Sequence, residues 1–338
     1  LGEVNKLDLE LQSDEFYEQG DFVGKKGVEK FYEDYLRGIK GEQYFYVDKF
    51  GVNKGSYKKG KLDVPAIDGN NLKLSLDIDL QQYGEMLLNN KMGSVVAIDP
   101  KTGEILALIS SPFYNPSNFN IQNRGNYYAG AIKDPTKPIF NRAVSAPYPP
   151  GSTFKPIMAL IGLQDEAINE HTHFGCPGYY RLGRRIIKCH GHTFSTSLQR
   201  SIASSCNTYY CNTFKNMMQS DKYANTEEAY KSWREYLKSF GIGQELGIDV
   251  SGEYKGWLMD ASFYDKMHGA GRCSYANIIS LSFGQGELGL TPMQMANVAS
   301  VIANRGYYFT PHVVRQIEGI DRIPEKYLMK NYTKISPS

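Results

Sequence analysis

One short motif in the sequence combines residue types that can perform nucleophilic catalysis. Ser152 and Lys155 are three residues apart in the segment YPPGSTFKP. On a helix this spacing puts both side chains on one face, one turn apart. A lysine buried there has a lowered pKa and can take the serine proton as a neutral amine. Pro149, Pro150 and Gly151 exclude helix immediately upstream, so we expect Ser152 at a helix N-terminus, where backbone N–H groups stabilise an oxyanion.

A second motif, Ser205-Cys206-Asn207, follows 53 residues after Ser152. Ser-x-Asn alone is a weak signal, because the same residues often cap helices. Ser-x-x-Lys also occurs by chance, with its lysine on a solvated face. We expect Cys206, which lies between the two polar residues, to be small and buried.

The segment CPGYYRLGRRIIKCHGH has the residue types of a zinc site. Its thiol and imidazole groups are Cys176, Cys189, His190 and His192. Adjacent residues 189 and 190 cannot easily face one ion, so Cys176, Cys189 and His192 are the better trio, with His171 or His173 as a fourth ligand. A Cys176–Cys189 disulfide closing a hairpin is the competing interpretation, and two unpaired cysteines are a third.

The same segment carries a basic patch, Arg184, Arg185 and Lys188. We expect this patch to be a solvated surface, although a substrate carboxylate is an alternative partner. Cys211 and Cys273 are expected in the core.

The elements that must position these residues can be predicted from periodicity and turn signals. Residues 27–38 have helical spacing of apolar residues, which predicts a helix. The alternating pattern LKLSLDIDL, residues 72–80, predicts a strand, and a helix is expected to follow through Gln81, Leu87 and Leu88. Residues 93–110 predict a strand–turn–strand hairpin. Further helices are expected from residue 152, over 196–218 and from the Thr291-Pro292 pair.

Composition bounds the class of protein. The chain has 338 residues, a net charge of +2 and 41% hydrophobic residues, which describes a folded protein of about two domains. The charge balance argues against nucleic acid as a partner. Five cysteines are too few for a disulfide framework. The opening LGEVNKLDLELQ has no signal-peptide pattern, and we expect the chain to be a fragment of a longer one.

The combined motifs resemble a known family. Ser-x-x-Lys followed by Ser-x-Asn marks penicillin-binding proteins and serine β-lactamases. The flanking YPPGSTFKP, SSCNTYY and SFGQGELGLTPMQMANVASVIANRG resemble class B penicillin-binding proteins, most closely the cell-elongation type. GSVVAIDPKTGEILALISSP resembles the first hairpin of their transpeptidase domain, and GVEKFYEDYLRGIKG resembles their N-terminal pedestal.

The resemblance implies an α/β (α+β) serine-transpeptidase fold, an antiparallel sheet flanked by helices. It implies a pedestal over 1–65 and a transpeptidase domain over 66–338, incomplete at its C-terminus. The family's Lys-Thr-Gly motif follows Ser-x-Asn, whereas the Lys-Thr-Gly found here at 101–103 precedes Ser152 in a turn. We interpret residues 101–103 as turn residues and expect the true motif beyond residue 338.

By resemblance, Ser152 is the nucleophile of a peptidoglycan D,D-transpeptidase and Lys155 is its general base. Ser205 relays a proton to the leaving group, and Asn207 holds the substrate amide and helps to position Lys155. The substrate-binding segment is Gly284, Gln285 and Gly286.

The implied partners are stem peptides, β-lactams and a membrane glycosyltransferase of the elongation machinery. The implied location is the outer, periplasmic face of the cytoplasmic membrane, and we expect the family's membrane anchor to be absent from this sequence. No cofactor is required, although a structural zinc ion is possible. The alternatives are a serine β-lactamase or β-lactam sensor, and a non-catalytic scaffold that activates a glycosyltransferase.

Overall fold

The computed structural model describes residues 2–3, 16–119, 124–189, 191–192, 194–269 and 273–336. His190, the histidine that the predicted trio of ligands excludes, lies outside these residues. Within the described ranges the helices are α1 (Gly27–Phe31), α2 (Glu33–Leu36), α3 (Ile78–Leu87), α4 (Arg124–Lys133), α5 (Arg142–Ser145), α6 (Lys155–Gln164), α7 (Leu198–Ala203), α8 (Asn207–Met218), α9 (Thr226–Ser239), α10 (Ala261–His268), α11 (Tyr275–Ile278) and α12 (Pro292–Ala303).

The strands in these ranges form antiparallel pairs, and the predicted α+β class with antiparallel strands is confirmed. They are β1 (Gly2–Glu3), β2 (Phe22–Val23), β3 (Phe45–Val47), β4 (Asn53–Ser56), β5 (Leu72–Leu74), β6 (Gly93–Ile98), β7 (Ile105–Ser111), β8 (Phe174–Gly175), β9 (Tyr179–Leu182), β10 (Arg185–Lys188), β11 (Ser195–Thr196), β12 (Trp257–Leu258), β13 (Leu288–Gly289), β14 (Tyr307–Phe309), β15 (Val314–Ile317) and β16 (Lys330–Tyr332). The pairs are β1–β2, β3–β4, β5–β15, β6–β7, β8–β11, β9–β10, β12–β13 and β14–β16.

The chain divides into two compact units. The first comprises Leu1–Ser75, Ile248–Ser251 and His312–Leu328, and the second comprises the rest. In the first unit, the buried carboxylate of Asp249 accepts hydrogen bonds from the Tyr32 hydroxyl (2.9 Å) and from the backbone N–H groups of Val313 and Val314 (2.8 and 3.1 Å). These bonds offset the cost of burying the carboxylate and fix β15 beside α1 and α2. The domain boundary at residue 65 remains a prediction.

In the second unit, the predicted hairpin is present as β6 and β7. Alternate residues of β7 are buried, with Ile105, Ala107 and Ile109 at most 1% exposed. The turn contains residues 101–103, where Gly103 has a positive φ of 81°. This is the turn role expected for the Lys-Thr-Gly found there. Helix α3 packs on β7, and the Gln81 side chain bonds to both backbone groups of Leu108.

The core around the Ser152 and Ser205 motifs is built on α8. Its buried residues include Tyr209, Tyr210 and Phe214, each 0% exposed. Trp233 of α9 packs against Phe214 and also against Phe154, which precedes α6. Burying such large aromatic side chains stabilises the fold by several kcal/mol in total, at about 25 cal/mol per Å² of apolar surface. This packing joins the helix after Ser152 to the helix after Ser205.

Three predicted elements differ from the structure. The strand at residue 72 ends at Leu74, because Asp77 accepts a hydrogen bond from the Leu80 N–H and begins α3 as its N-cap. The helix predicted over 27–38 is interrupted at Tyr32. The helix predicted over 196–218 is two helices, because Ser205 has a positive φ of 51° that helix geometry excludes.

Candidate active site

The Ser152 turn is held in place on both of its sides. Residues Gly151–Phe154 form one turn of 3₁₀ helix that leads directly into α6 at Lys155, with Pro156 in the first turn. The Gly151 N–H donates to the Gly284 carbonyl (2.8 Å). Phe154, which is fully buried, anchors the other side against Trp233. Ser152 itself is exposed, so the predicted nucleophile is accessible.

Lys155 and Ser205 converge on the Ser152 hydroxyl. The Lys155 Nζ lies 3.1 Å from the Ser152 Oγ and 2.8 Å from the Ser205 Oγ, and it also donates to the Ser205 carbonyl (2.7 Å). The Ser205 hydroxyl donates to the Ser152 Oγ at 2.8 Å. The structure therefore brings three of the four predicted catalytic residues into one hydrogen-bonded triangle.

Burial lowers the pKa of Lys155. The side chain of Lys155 is 1% exposed, and its Nζ lies 5.8 Å from the centre of the Tyr210 ring. Desolvation lowers the pKa of Lys155 below its ordinary value of 10.5. A lower pKa makes the neutral amine, which can accept a proton, more abundant near neutral pH.

The backbone of Ser205 explains how its side chain reaches the triangle. Ser205 lies between the end of α7 and the start of α8, and its positive φ turns the chain so that both its carbonyl and its hydroxyl meet Lys155. A non-glycine residue in this conformation is strained by about 1 kcal/mol or more. Such strain is common where a side chain must be aimed at a reacting group.

Asn207 differs from the prediction in one contact. Its Nδ2 donates to the Lys188 carbonyl (2.8 Å), and no hydrogen bond joins it to Lys155 in the described part of the chain. The contacts of Lys155 go to the two serines instead. Asn207 therefore ties the β9–β10 hairpin to the Ser-x-Asn motif. This link cannot be predicted from the sequence, because it depends on the register of the hairpin.

The Gly284–Gly286 segment lies against the Ser152 turn. Gly284 has a positive φ of 76° and its carbonyl accepts from Gly151. A Cβ at Gly284 would lie 2.3 Å from the Gly151 carbonyl oxygen, so only glycine permits this approach. The Gln285 N–H donates to the Ser280 carbonyl (3.1 Å), which folds the segment back. Its role in substrate binding remains a prediction.

The three predicted metal ligands come together, and Cys206 joins them. The ligand atoms of Cys176, Cys189, His192 and Cys206 all lie within 4.8 Å of one another. Cys176, His192 and Cys206 are buried. The fourth ligand atom of this group belongs to Cys206, and not to His171 or His173 as the sequence suggests. Both histidines are exposed, and the Nδ1 of His173 bonds to the His171 carbonyl.

The N-terminus of α8 faces this cluster. The Thr208 N–H donates to the Cys189 sulfur (3.3 Å), and the Tyr209 N–H donates to the Cys206 sulfur (3.4 Å). A hydrogen bond from Cys206, together with bonds from Thr208, lowers the pKa of the Cys189 thiol, and the same contact raises the pKa of Cys206. A helix N-terminus favours negative charge on nearby sulfur. The signal that could have identified Cys206 is its position at the start of a helix, next to Ser205.

The disulfide alternative is not formed in the structure. The Cys176 and Cys189 sulfur atoms lie 3.6 Å apart, and both residues are free thiols. A disulfide bond requires about 2.05 Å. Cys211 and Cys273 are buried, as expected for core residues.

The described part of the chain includes no helix long and apolar enough to cross a lipid bilayer.

Comparison with known proteins supports the resemblance. A curated relative, the peptidoglycan D,D-transpeptidase MrdA of Acinetobacter baumannii, is 34% identical over 94% of this chain and 46% of its own length. The penicillin-binding protein PBP2 of Helicobacter pylori, solved in complex with MreC, matches with a TM-score of 0.77 and 27% identity over 96% of this chain and 56% of that one. PBP2 of Pseudomonas aeruginosa, solved with WCK 5153, matches with a TM-score of 0.71 and 27% identity over 92% and 63% of the two chains.

The chain spans about half the length of the curated relatives it matches. Residues 93–337 match the penicillin-binding protein transpeptidase domain, and residues 1–74 match the penicillin-binding protein dimerisation domain. The first match covers more than half of the chain and includes Ser152, Lys155, Ser205 and Asn207. With the predicted resemblance confirmed in this way, the chain belongs to the family of penicillin-binding protein transpeptidases.

Proposed function

We propose that this protein is a peptidoglycan D,D-transpeptidase that cross-links stem peptides during cell-wall elongation. The observation that carries the proposal is the convergence of Lys155 and Ser205 on the Ser152 Oγ, at 3.1 and 2.8 Å. A serine hydroxyl is a weak nucleophile unless a base within hydrogen-bond reach removes its proton. The relatives named D,D-transpeptidases support the same reaction.

In the first half of the reaction, the Ser152 Oγ attacks the carbonyl carbon of the penultimate D-Ala. Neutral Lys155 takes the Ser152 proton as the C–O bond forms, and the Ser152 N–H stabilises the oxyanion. The proton then passes through the Ser205 hydroxyl to the nitrogen of the terminal D-Ala as the C–N bond breaks. The product is an acyl-enzyme, with one D-Ala released.

In the second half, an amine from a neighbouring stem attacks the acyl-enzyme. Lys155 and Ser205 move the proton in the reverse direction, from the amine to the Ser152 Oγ. Asn207 would hold the substrate amide through its Oδ1, because its Nδ2 donates to the Lys188 carbonyl. No water-activating glutamate is needed for this route, and a long-lived acyl-enzyme is the expected behaviour towards β-lactams.

We propose that a structural zinc ion would be held by Cys176, Cys189, His192 and Cys206. Thiolates and imidazole are the ligands that zinc prefers, and four of them fit a closed tetrahedral site. The clustering of the four ligand atoms and the N–H groups of α8 aimed at two of the sulfurs support this assignment. Bound zinc would fix the end of β10 to the start of α8, next to Ser205.

The metal assignment is tested by elemental analysis of the purified protein. We expect one zinc per chain, which is lost in Cys206→Ala. Mass spectrometry under non-reducing conditions distinguishes the disulfide alternative, because formation of a Cys176–Cys189 disulfide lowers the mass by two hydrogen atoms. A metal-free protein with that disulfide would overturn the zinc assignment.

We also propose that the protein works at the outer face of the cytoplasmic membrane, with a membrane glycosyltransferase as partner. Residues 1–65 would form the pedestal and 66–338 part of the transpeptidase domain. A solved complex of PBP2 with MreC in H. pylori supports a role for protein partners in this group. Co-purification of the intact protein with a membrane glycosyltransferase, lost when 1–65 are deleted, tests this assignment.

The reaction itself is tested with a synthetic stem pentapeptide ending in D-Ala-D-Ala and an amine acceptor. We expect the intact protein to release D-Ala and form the new amide, and Ser152→Ala to form neither. Rapid hydrolysis of penicillin would instead identify a β-lactamase. A folded protein that reacts with neither peptide nor penicillin would identify a scaffold.

A further inference from the structure

A cluster of cations lies beside the candidate active site, in a stretch of sequence that has no acidic residues. Residues 171–220 contain no aspartate or glutamate. Within them the β9–β10 hairpin carries Arg181, Arg184, Arg185 and Lys188, all exposed. None of these four side chains forms an ion pair with a carboxylate of the described residues. Uncompensated positive charge close to a site attracts anionic ligands.

The hairpin is attached to two segments of the site. At one end of β10, the Lys188 carbonyl accepts from Asn207 Nδ2 (2.8 Å). At the other end, Arg185 Nη2 donates to the Ser280 Oγ (3.1 Å), and the Ser280 carbonyl accepts from the Gln285 N–H. Strand β10 therefore runs from the Ser-x-Asn motif to the Gly-Gln-Gly segment, along the edge of the site.

Strand pairing assigns the cations to two faces. Residues directly opposite in an antiparallel pair share a face, and Ile187, which is 8% exposed, pairs with Tyr180. Arg185 shares this inner face, in agreement with its bond to Ser280.

The other two cations lie on the outer face of the hairpin. Arg181 pairs with Ile186 and Lys188 pairs with Tyr179, so Arg181 and Lys188 are diagonal neighbours on that face. Diagonal neighbours in a strand pair lie about 7–8 Å apart, which lets two long side chains reach one anion.

From these observations we propose that Arg181 and Lys188 bind the side-chain carboxylate of an acidic residue in the stem peptide, and so select for stems with that charge. This inference rests on the proposed transpeptidase function. The scissile carbonyl must meet the Ser152 Oγ, and the terminal carboxylate is only a few bonds from it, so that carboxylate stays near Ser152. In the proposed binding mode, an acidic side chain further along the stem, and not the terminal carboxylate, meets the hairpin.

The test compares two synthetic stem peptides that end in D-Ala-D-Ala and differ at one group. In one peptide the internal acidic side chain is a carboxylate, and in the other it is the amide. We expect the intact wild-type protein to favour the carboxylate peptide in kcat/KM by about threefold to tenfold, the range of one or two partly exposed charge contacts. The preference should shrink as salt is added.

Substitutions in the hairpin test whether Arg181 and Lys188 cause the preference for the carboxylate peptide. Arg181→Gln and Lys188→Gln together should reduce the preference to about one, chiefly through a higher KM for the carboxylate peptide. Arg322→Gln removes the same kind of charge from an exposed position of the first unit and should retain the wild-type preference. Circular dichroism melts of each variant verify folding.

Three results would overturn the inference while leaving the transpeptidase proposal intact. These are an equal rate for both peptides in the wild type, an unchanged preference in the double variant, and an equal loss for both peptides in that variant, which would indicate the terminal carboxylate instead. If folded wild-type protein reacts with neither peptide, the transpeptidase proposal itself fails.

Discussion

Gly284→Ala should slow acylation of Ser152 without preventing folding. Gly284 approaches the Ser152 turn through backbone atoms, and its carbonyl accepts the Gly151 N–H. A Cβ added there would lie 2.3 Å from the Gly151 carbonyl oxygen and 2.8 Å from both the Gly151 nitrogen and the Phe154 Cβ. Backbone atoms cannot rotate away as a side chain can, so the two segments must separate.

The size of the effect can be worked from these distances. Ordinary contact begins at 3.4 Å, so the Ser152 turn must move by about 1.1 Å. A misplacement of about 1 Å at a reacting group costs about 100-fold in rate, or about 2.7 kcal/mol in the activation free energy. The positive φ of 76° adds about 1 kcal/mol of destabilisation to the folded state.

The assay is the second-order rate of acylation by a fluorescent penicillin, with thermal melts beside it. Gly247→Ala is the matched control, because Gly247 has a φ of 82° but no atom within 4 Å of an added Cβ. The control should lose about 1 kcal/mol of stability and keep its acylation rate. A folded Gly284→Ala protein that is acylated as fast as the wild type would refute the role of this contact.

Three further predictions concern the same site. The rate of acylation should rise with pH as Lys155 loses its proton and becomes able to act as a base. The midpoint of the pH–rate profile should lie below 10.5, because burial lowers the pKa of Lys155. A flat profile in the wild type would contradict this prediction. The free energy of unfolding of Ser205→Gly should exceed that of Ser205→Ala by about 1 kcal/mol, because only glycine adopts the positive φ without strain. Both variants should be acylated about 10²-fold or more slowly than the wild type. Equal stability of the two variants would count against backbone strain at Ser205. Removal of metal with a chelator should lower the melting temperature of the wild type and leave that of Cys206→Ala unchanged; an unchanged wild-type melt would argue against a structural ion.

Much of the site could be predicted because its signals are local in sequence. The Pro-Pro-Gly segment before Ser152 and the spacing to Lys155 require only one helical turn, and the structure shows that turn. The Thr291-Pro292 pair also begins a helix as predicted, since its capping contacts lie within three residues.

The contacts that were missed depend on how distant segments pack. Cys206 joins the cluster of Cys176, Cys189 and His192 because the helix is interrupted at Ser205 and the hairpin that leads to Cys189 packs on α8. Apolar periodicity continues through 196–218 and gives no sign of that break. Likewise, the hydrogen bond from Asn207 to the Lys188 carbonyl could be predicted only if the register of β10 were known, and the residue types do not specify that register.

The central claim is that Ser152 is the nucleophile of a transpeptidase, and mass spectrometry with penicillin tests it most directly. The intact protein is incubated with the antibiotic, its mass is followed over hours, and the labelled peptide is sequenced. We predict one long-lived adduct per chain, on the peptide containing Ser152, and none in Ser152→Ala. An adduct that persists in Ser152→Ala, or a folded wild-type protein that acquires no adduct, would contradict the account.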